Sequence, residues 1–485
     1  MTPPPTQPLR GGQFANHAMP ALRAGWAVEP RPRPAFYLTI VFVFVVYGRF
    51  PEIMDMVTGS AVHWARIIVG LALLATLLFG GNIRAVFSKV GVTLMAFTLW
   101  MCVCIPFSIW RGGSVRTLRD IWLLSLFSFV IIASAVQGLQ QCRRIMYTLA
   151  AATVFIEVFT LLMGRVQGGR MSLLGGTLGN ANYLALMLLM GVPFCLLVMR
   201  TKPGMSPLRF ACLVMLLCVP VTVAATGSRG GLVTLAVMFL MYFVPLRVSQ
   251  KLVVGMAALI LSVIAVTWSS RSAFDRFRTM FSSSTPVRLS DSEQSAIESM
   301  ELRKDLLLSS VQLTIRHPLL GVGPGMFAVA NASFIEATGG RPNFNAWHET
   351  HNTFTQLSCE EGLPGLFLYC LAMLFCLKIA FSTEKRARQY PTLSSLGQMA
   401  FALRLSLIAF IGTAVFASNA YMYYFPMLAG LCVALERATT AQIAALKAES
   451  AHPGASPPSA QAAAQFRPGT LDASRSMALN RPPYR

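Results

Sequence analysis

Residues 347–380 read WHETHNTFTQLSCEEGLPGLFLYCLAMLFCLKIA. A polar stretch, Trp347–Gln356, opens directly onto the apolar run Leu363–Ala380, which is long enough to span a bilayer. The polar part carries two of the chain's six histidines. From His351 the spacing is H-N, nine residues, G, two residues, G, closing on Gly362 and Gly365. A titratable base where a polar segment meets a membrane helix asks for a chemical reason. The rest of the chain reads as the frame that holds this histidine at a membrane face.

Composition supports that frame. Of 485 residues, 55% are hydrophobic and only 12% charged, with a mean hydropathy of +0.58. Soluble domains carry about 25% charged residues, so the chain reads as an all-α polytopic membrane protein. The net charge of +21 is first a topology signal from cytoplasmic loops. No basic-aromatic patch accompanies it, so nucleic acid is not an expected partner. The ten cysteines show neither a disulfide framework nor a CxxC zinc pattern, and no metal or cofactor is expected.

Working outward, apolar runs occur near 36–50, 62–80, 90–110, 121–137, 145–164, 180–199, 209–226, 230–248, 251–269, 362–382, 400–417 and 419–436. They predict about twelve transmembrane helices. Residues 1–34 and 438–485 read as cytoplasmic, mostly disordered tails, 35–269 as helices one to nine, and 362–437 as helices ten to twelve. Residues 270–361 read as one large, mostly helical periplasmic loop. Within it Ser299–Ile315 is amphipathic, a helix lying on the membrane or on the bundle. Arg31, Arg33, Arg84, Lys89, Arg143, Arg144, Arg200, Lys202, Arg209, Arg247, Lys251, Lys385, Arg386 and Arg388 fall on one side, read as the cytoplasm.

That orientation leaves Arg111, Arg116, Arg119, Arg165, Arg170 and Arg229 on the other side. Snorkelling or pairing with lipid phosphate accounts for any one of them. As a group they suggest an anionic ligand held by guanidinium forks. Arg229 sits in Gly227-Ser228-Arg229-Gly230-Gly231, where small residues permit close helix approach and free amides near Gly231 would add positive charge. Gly179-Asn180-Ala181-Asn182 opens the sixth run. Asn180 suits a helix cap, and Asn182, inside the helix, suits a hydrogen bond to a sugar or a neighbouring helix. Gly321-Val322-Gly323-Pro324-Gly325 lacks a preceding strand, so it reads as a tight loop, not a dinucleotide site. If the tenth helix starts near Thr350, His351 lies in its first turn, where the helix dipole keeps the imidazole neutral. It would then share a face with Thr355, Ser358 and Gly362. His348 is the alternative base. Glu157 is the main ionisable residue deep in a span.

These motifs resemble the bacterial O-antigen ligase and polymerase superfamily. G-S-R-G-G at 227–231, H-P-L-L-G-V-G-P-G-M-F at 317–327 and H-N-x9-G-x2-G from His351 carry the resemblance, with G-N-A-N-Y-L-A at 179–185 similar to its asparagine motif. It covers roughly 36–437. It implies a GT-C-like, metal-independent transferase in the inner membrane. A glycan would move from undecaprenyl diphosphate to an acceptor hydroxyl at the periplasmic face. Arg229 would contact the diphosphate and His351 would be the base. Arg116, Arg119, Arg170, Asn182 and Asn352 are the candidate substrate contacts. Chemistry agrees independently, since a diphosphate leaving group needs charge stabilisation and a hydroxyl nucleophile needs a proton acceptor. Ligase, with lipid A core as acceptor, is preferred slightly over polymerase. A transporter would call for paired mid-membrane carboxylates or an inverted repeat, and a scaffold would not gather arginines and a histidine on one face.

Overall fold

The computed structural model describes residues 30–451 apart from 59–63, 80, 168–169, 174–176, 269–290, 340 and 342–343. Most of the two expected tails, Gly175 and Gly176, and residues 270–290 of the expected loop lie outside the described residues. In chain order the helices are α1 (Pro34–Tyr47), α2 (Phe50–Thr58), α3 (Trp64–Leu78), α4 (Lys89–Cys104), α5 (Arg111–Thr117), α6 (Leu123–Ala135), α7 (Leu139–Met163), α8 (Ala181–Thr201), α9 (Pro207–Ala225), α10 (Arg229–Phe243) and α11 (Val248–Trp268). A second set follows: α12 (Asp291–Arg316), α13 (Phe327–Ala337), α14 (Thr353–Glu360), α15 (Gly362–Arg388), α16 (Ser394–Ala414) and α17 (Tyr424–Ala451). One short antiparallel hairpin, β1 (Arg165–Gln167) and β2 (Arg170–Ser172), pairs Gln167 with Arg170.

The chain is an all-α polytopic membrane protein. Each of the twelve expected apolar runs is helical. Among the described residues eight helices are long and apolar enough to cross a membrane, while α1, α10 and the apolar part of α3 are shorter. The remaining run opens α17, whose later turns are polar. A helix apolar all round belongs in the middle of a bundle, and α8 fits that description, with 78% of its apolar window buried. It packs against α7, α9 and α16. At the other extreme, α11 has no buried residue over Val248–Ala265 and presents Leu252, Met256, Leu259 and Val263 outward. Some polar contacts across the bundle reach backbone: Tyr47 Oη donates to Met187 O (2.9 Å) and Ser406 Oγ to Met190 O (2.8 Å). Glu157, read from sequence as isolated, accepts from Thr222 Oγ1 at 2.6 Å.

The described part of the expected loop is mostly helical. Leu306 and Leu313 of α12 pack with Val322, Met326, Phe327, Ala330 and Cys359 into a small core of their own. The glycine-rich turn makes this possible. Gly321, Gly323 and Gly325 all have positive φ (65°, 107° and 72°), a conformation in which a side chain is strained. Val322 N donates to Cys359 O (2.8 Å) and Gly323 N to Glu360 O (3.0 Å). The turn therefore spends those amides on α14, clamping the loop onto the histidine motif.

Candidate functional site

α14 begins at Thr353 because Asn352 is a good N-cap: its side chain accepts from Phe354 N (2.9 Å) and Thr355 N (3.1 Å). The expectation that His351 lies in the first helical turn is therefore corrected. His351 stands before the cap with φ 53°, a left-handed conformation shared among described non-glycine residues only with Arg49. The shared face with Thr355, Ser358 and Gly362 falls with it. Ser358 turns inward to Thr314 Oγ1 (2.9 Å), and Gly362, φ 70°, breaks the helix before α15.

A second segment supplies what the helix does not. In the link between α16 and α17, Ser418 Oγ accepts from His351 N (2.9 Å) and meets Thr350 Oγ1 (3.1 Å). Thr353 Oγ1 donates to Ala417 O (2.7 Å) and accepts from Asn419 N (2.9 Å). Ala420 N reaches Gln356 Oε1 (3.3 Å). The strained backbone of His351 is thus held by another part of the fold, as such strain requires. The sequence reading passed over Ser418, whose one signal was a Ser-Asn pair between two apolar runs.

Electrostatics around His351 are cationic. Its imidazole is pushed down to about 4, first by burial, then by its neighbours Arg303, His348 and Arg170. The helix dipole is not the main cause. The His348 ring lies 6.3 Å from it, centroid to centroid. Arg303, on α12, was not singled out from sequence, where it looked like one charge in a mixed run. Arg170 is anchored from β2: Nε donates to Thr226 O (3.0 Å) and Nη2 to Asn182 Oδ1 (2.8 Å). Asn182 thus orients an arginine, and Asn180 caps α8 by accepting from Asn182 N (2.9 Å).

Arg229 opens α10 and reaches across to α12, its Nη1 lying 3.6 Å from Met300 Sδ. Ser228 Oγ accepts from Gly231 N (3.2 Å), so the amide expected to be free is capped. The structure does not gather every arginine. Arg119 pairs with Asp120 (3.0 Å), which Arg66 also approaches (3.4 Å). Arg116 stands over the Trp110 ring at 6.0 Å. Their partners lie near α5 and not at His351. Asn352 commits its side-chain oxygen to α14, leaving only its NH2 group for a ligand.

Carboxylates complete the picture. Tyr183 Oη donates to Ser418 O (2.9 Å) and lies 3.2 Å from Glu349 Oε2. Glu349 is exposed, yet desolvation by the surrounding protein raises its carboxyl. Beneath the motif, Glu360 and Glu361 are buried side by side. Burial drives them up to about 7 and about 8. Glu360 accepts from Phe327 N (3.0 Å), capping α13 from a distance, and both meet Tyr421 Oη, at 2.8 and 3.1 Å. One hydroxyl proton cannot serve two carboxylates. A proton on Glu361 resolves this: Glu361 donates to Tyr421, and Tyr421 to the Glu360 carboxylate. The adjacent pair was visible in the sequence but was not read as a pair.

The arrangement places a desolvated, uncharged imidazole beside arginines from β2 and α12, which suits proton abstraction next to an anionic group. Among curated proteins, comparison finds no match. A chain in a solved structure described as "Structural coordination of polymerization and crosslinking by a peptidoglycan synthase complex" is 16% identical, with a TM-score of 0.34, over 73% of this chain and 97% of that one. Residues 210–370, which contain both Arg229 and His351, match a family model described as O-antigen ligase. That match supports a likeness to the O-antigen ligase and polymerase superfamily, whose members are glycosyltransferase-like enzymes.

Proposed function

We propose that the protein transfers a glycan from undecaprenyl diphosphate to a sugar hydroxyl, in the inner membrane with its site facing the periplasm. The preferred acceptor is lipid A core, the ligase reaction. Joining of lipid-linked repeats is the second reading and needs only a different acceptor at the same site. The observation that carries the proposal is the uncharged imidazole of His351 held among Arg170, Arg303 and His348.

In this reading His351 takes the proton of the acceptor hydroxyl as its oxygen attacks the anomeric carbon. The bond from that carbon to the diphosphate oxygen breaks, and the lipid diphosphate leaves with the electron pair. Arg170 and Arg303, with Arg229 at the mouth of α10, balance the developing charge. Asn182 keeps the Arg170 fork aimed. Ser418 keeps the base at its position. The chemistry asks nothing of a metal ion that these side chains do not offer.

The test is transfer in vitro with lipid-linked donor and defined acceptor. His351→Ala should lower turnover by about 10²–10⁴-fold, the usual range for a general base, at unchanged membrane level. His348→Ala should do much less. Equal losses, or a larger one for His348→Ala, would overturn the assignment. Arg229→Ala should abolish transfer, and Arg229→Lys should restore little, because an ammonium lacks the guanidinium fork.

A further inference from the structure

α12 has two apolar sectors, and protein contacts account for only one. Leu306 and Leu313, 2% and 3% exposed, are buried in the small core beneath the helix. Leu308 is 51% exposed, Ile315 72% and, just past the helix, Leu319 67%. At about 100° per residue, Leu308 and Ile315 fall roughly opposite Leu306. Exposed Glu301, Asp305 and Gln312 form the adjoining polar sector, and exposed Lys304 flanks Ile315 on the other side.

The depth of this surface follows from α15. From Leu363 to Phe381 the only charged residue is Lys378, whereas the far end carries Glu384, Lys385, Arg386 and Arg388. The membrane-crossing stretch of α15 therefore begins at its first turn, where Leu363 and Phe367 face outward, 51% and 64% exposed. Leu363 N donates to Pro318 O at 2.8 Å. That bond places Pro318 at the hydrocarbon edge, with Leu319 beside it and Ile315 one turn back. Trp110, itself exposed, stands on the neighbouring segment, where Ile109 N donates to Val322 O (3.1 Å). Tryptophan is enriched at that level of membrane proteins.

We propose that α12 docks on the lipid surface: Leu308, Ile315 and Leu319 insert into the leaflet on the His351 side, continuous with the lipid-facing edge of α15. A helix with one apolar sector on protein and another on acyl chains is a monotopic element added to a spanning bundle. The consequence is positional. Arg303 lies on the same helix, so the bilayer itself sets the height of a charge that acts on His351. A lipid-linked ligand and that guanidinium would share one reference plane. The inference requires no particular reaction at His351, so failure of the transfer assay leaves it standing.

The test is site-directed fluorescence in the full chain, in vesicles of phosphatidylethanolamine and phosphatidylglycerol. Ile315→Trp and Leu319→Trp each add one indole, read as the difference from the unsubstituted protein. The added emission should be blue-shifted. It should be lost to lipids brominated near the headgroup end of the chain more than to lipids brominated near the chain terminus. Asp305→Trp, in the polar sector, should emit as in water and be spared. Red-shifted, unquenched emission from Leu319→Trp would overturn the proposal. So would blue-shifted emission that no brominated lipid quenches, because protein would then cover the face.

Discussion

At the scale of the residue, His351 is decided by its surroundings more than by its own chemistry. Burial and the neighbouring Arg303, His348 and Arg170 all disfavour the imidazolium, so the ring stays uncharged from neutral pH down to about 4. The folded value lies below the ordinary histidine value of about 6.5. The unfolded chain therefore takes up the proton first as pH falls. The stabilising contribution is present above about 6.5 and is lost as pH falls through that window toward about 4. In a titration of the histidine C2 protons, the His351 midpoint should sit near 4 in the ligand-free protein. Arg303→Gln should raise it, yet not to the ordinary value, because burial, the larger cause, remains. A midpoint unmoved by Arg303→Gln would remove Arg303 from the site. A bound diphosphate would act in the same direction as that substitution, making the imidazole a stronger base when the donor is present.

At the scale of the element, the positive-φ glycines show how the motif is built. Gly362 turns the chain from α14 into α15 at φ 70°, and a methyl there would meet the carbonyl of Leu319. Gly339 has φ 83°, and a methyl added there would find nothing within 4 Å. Gly339→Ala should thus cost only the left-handed conformation, about 1–2 kcal/mol. Gly362→Ala should cost that plus displacement of the Pro318–Leu319 backbone, at least about 2–3 kcal/mol. Thermal unfolding in detergent measures both, and equal shifts would contradict the packing account. The same logic explains the glycine-rich turn at 321–325. At Gly321 its backbone approaches that of Glu360 and Glu361 too closely for a side chain, so the glycines serve packing on α14, and phosphate binding is not needed to explain them.

At the scale of the whole molecule, two remote links close on one histidine. The α16–α17 link holds its backbone, and α12 carries Arg303, whose charge acts on its ring. α8 lies central in the bundle and contributes Tyr183 and Asn182 at its first turn. The orientation expected from basic loops puts this end in the periplasm. Reporter fusions after residues 290 and 460 should report opposite compartments, with the first outside the cytoplasm. Matching compartments would mean a span has been miscounted and would move the site to the other face.

What the sequence determined by itself was whatever depends on near neighbours. Apolar runs made helices at all twelve expected places, because a backbone in hydrocarbon must satisfy its hydrogen bonds within the segment. Asn180 caps the helix that follows it, as read from sequence, because capping reaches only two or three residues along the chain; Ser228 and Asn352 cap theirs by the same local rule, though they were not read as caps. The motif spacing pointed to His351 and Arg229 for the same reason, since a local signature is written locally. Only the tertiary structure decided that His351 lies outside its helix, that Ser418 holds it, and that Arg303 and Arg170 act on it while Arg119 is paired at Asp120. Those facts depend on which distant segments meet. A charge or a hydroxyl in a sequence carries no mark of the partner that packing will bring within about 3 Å.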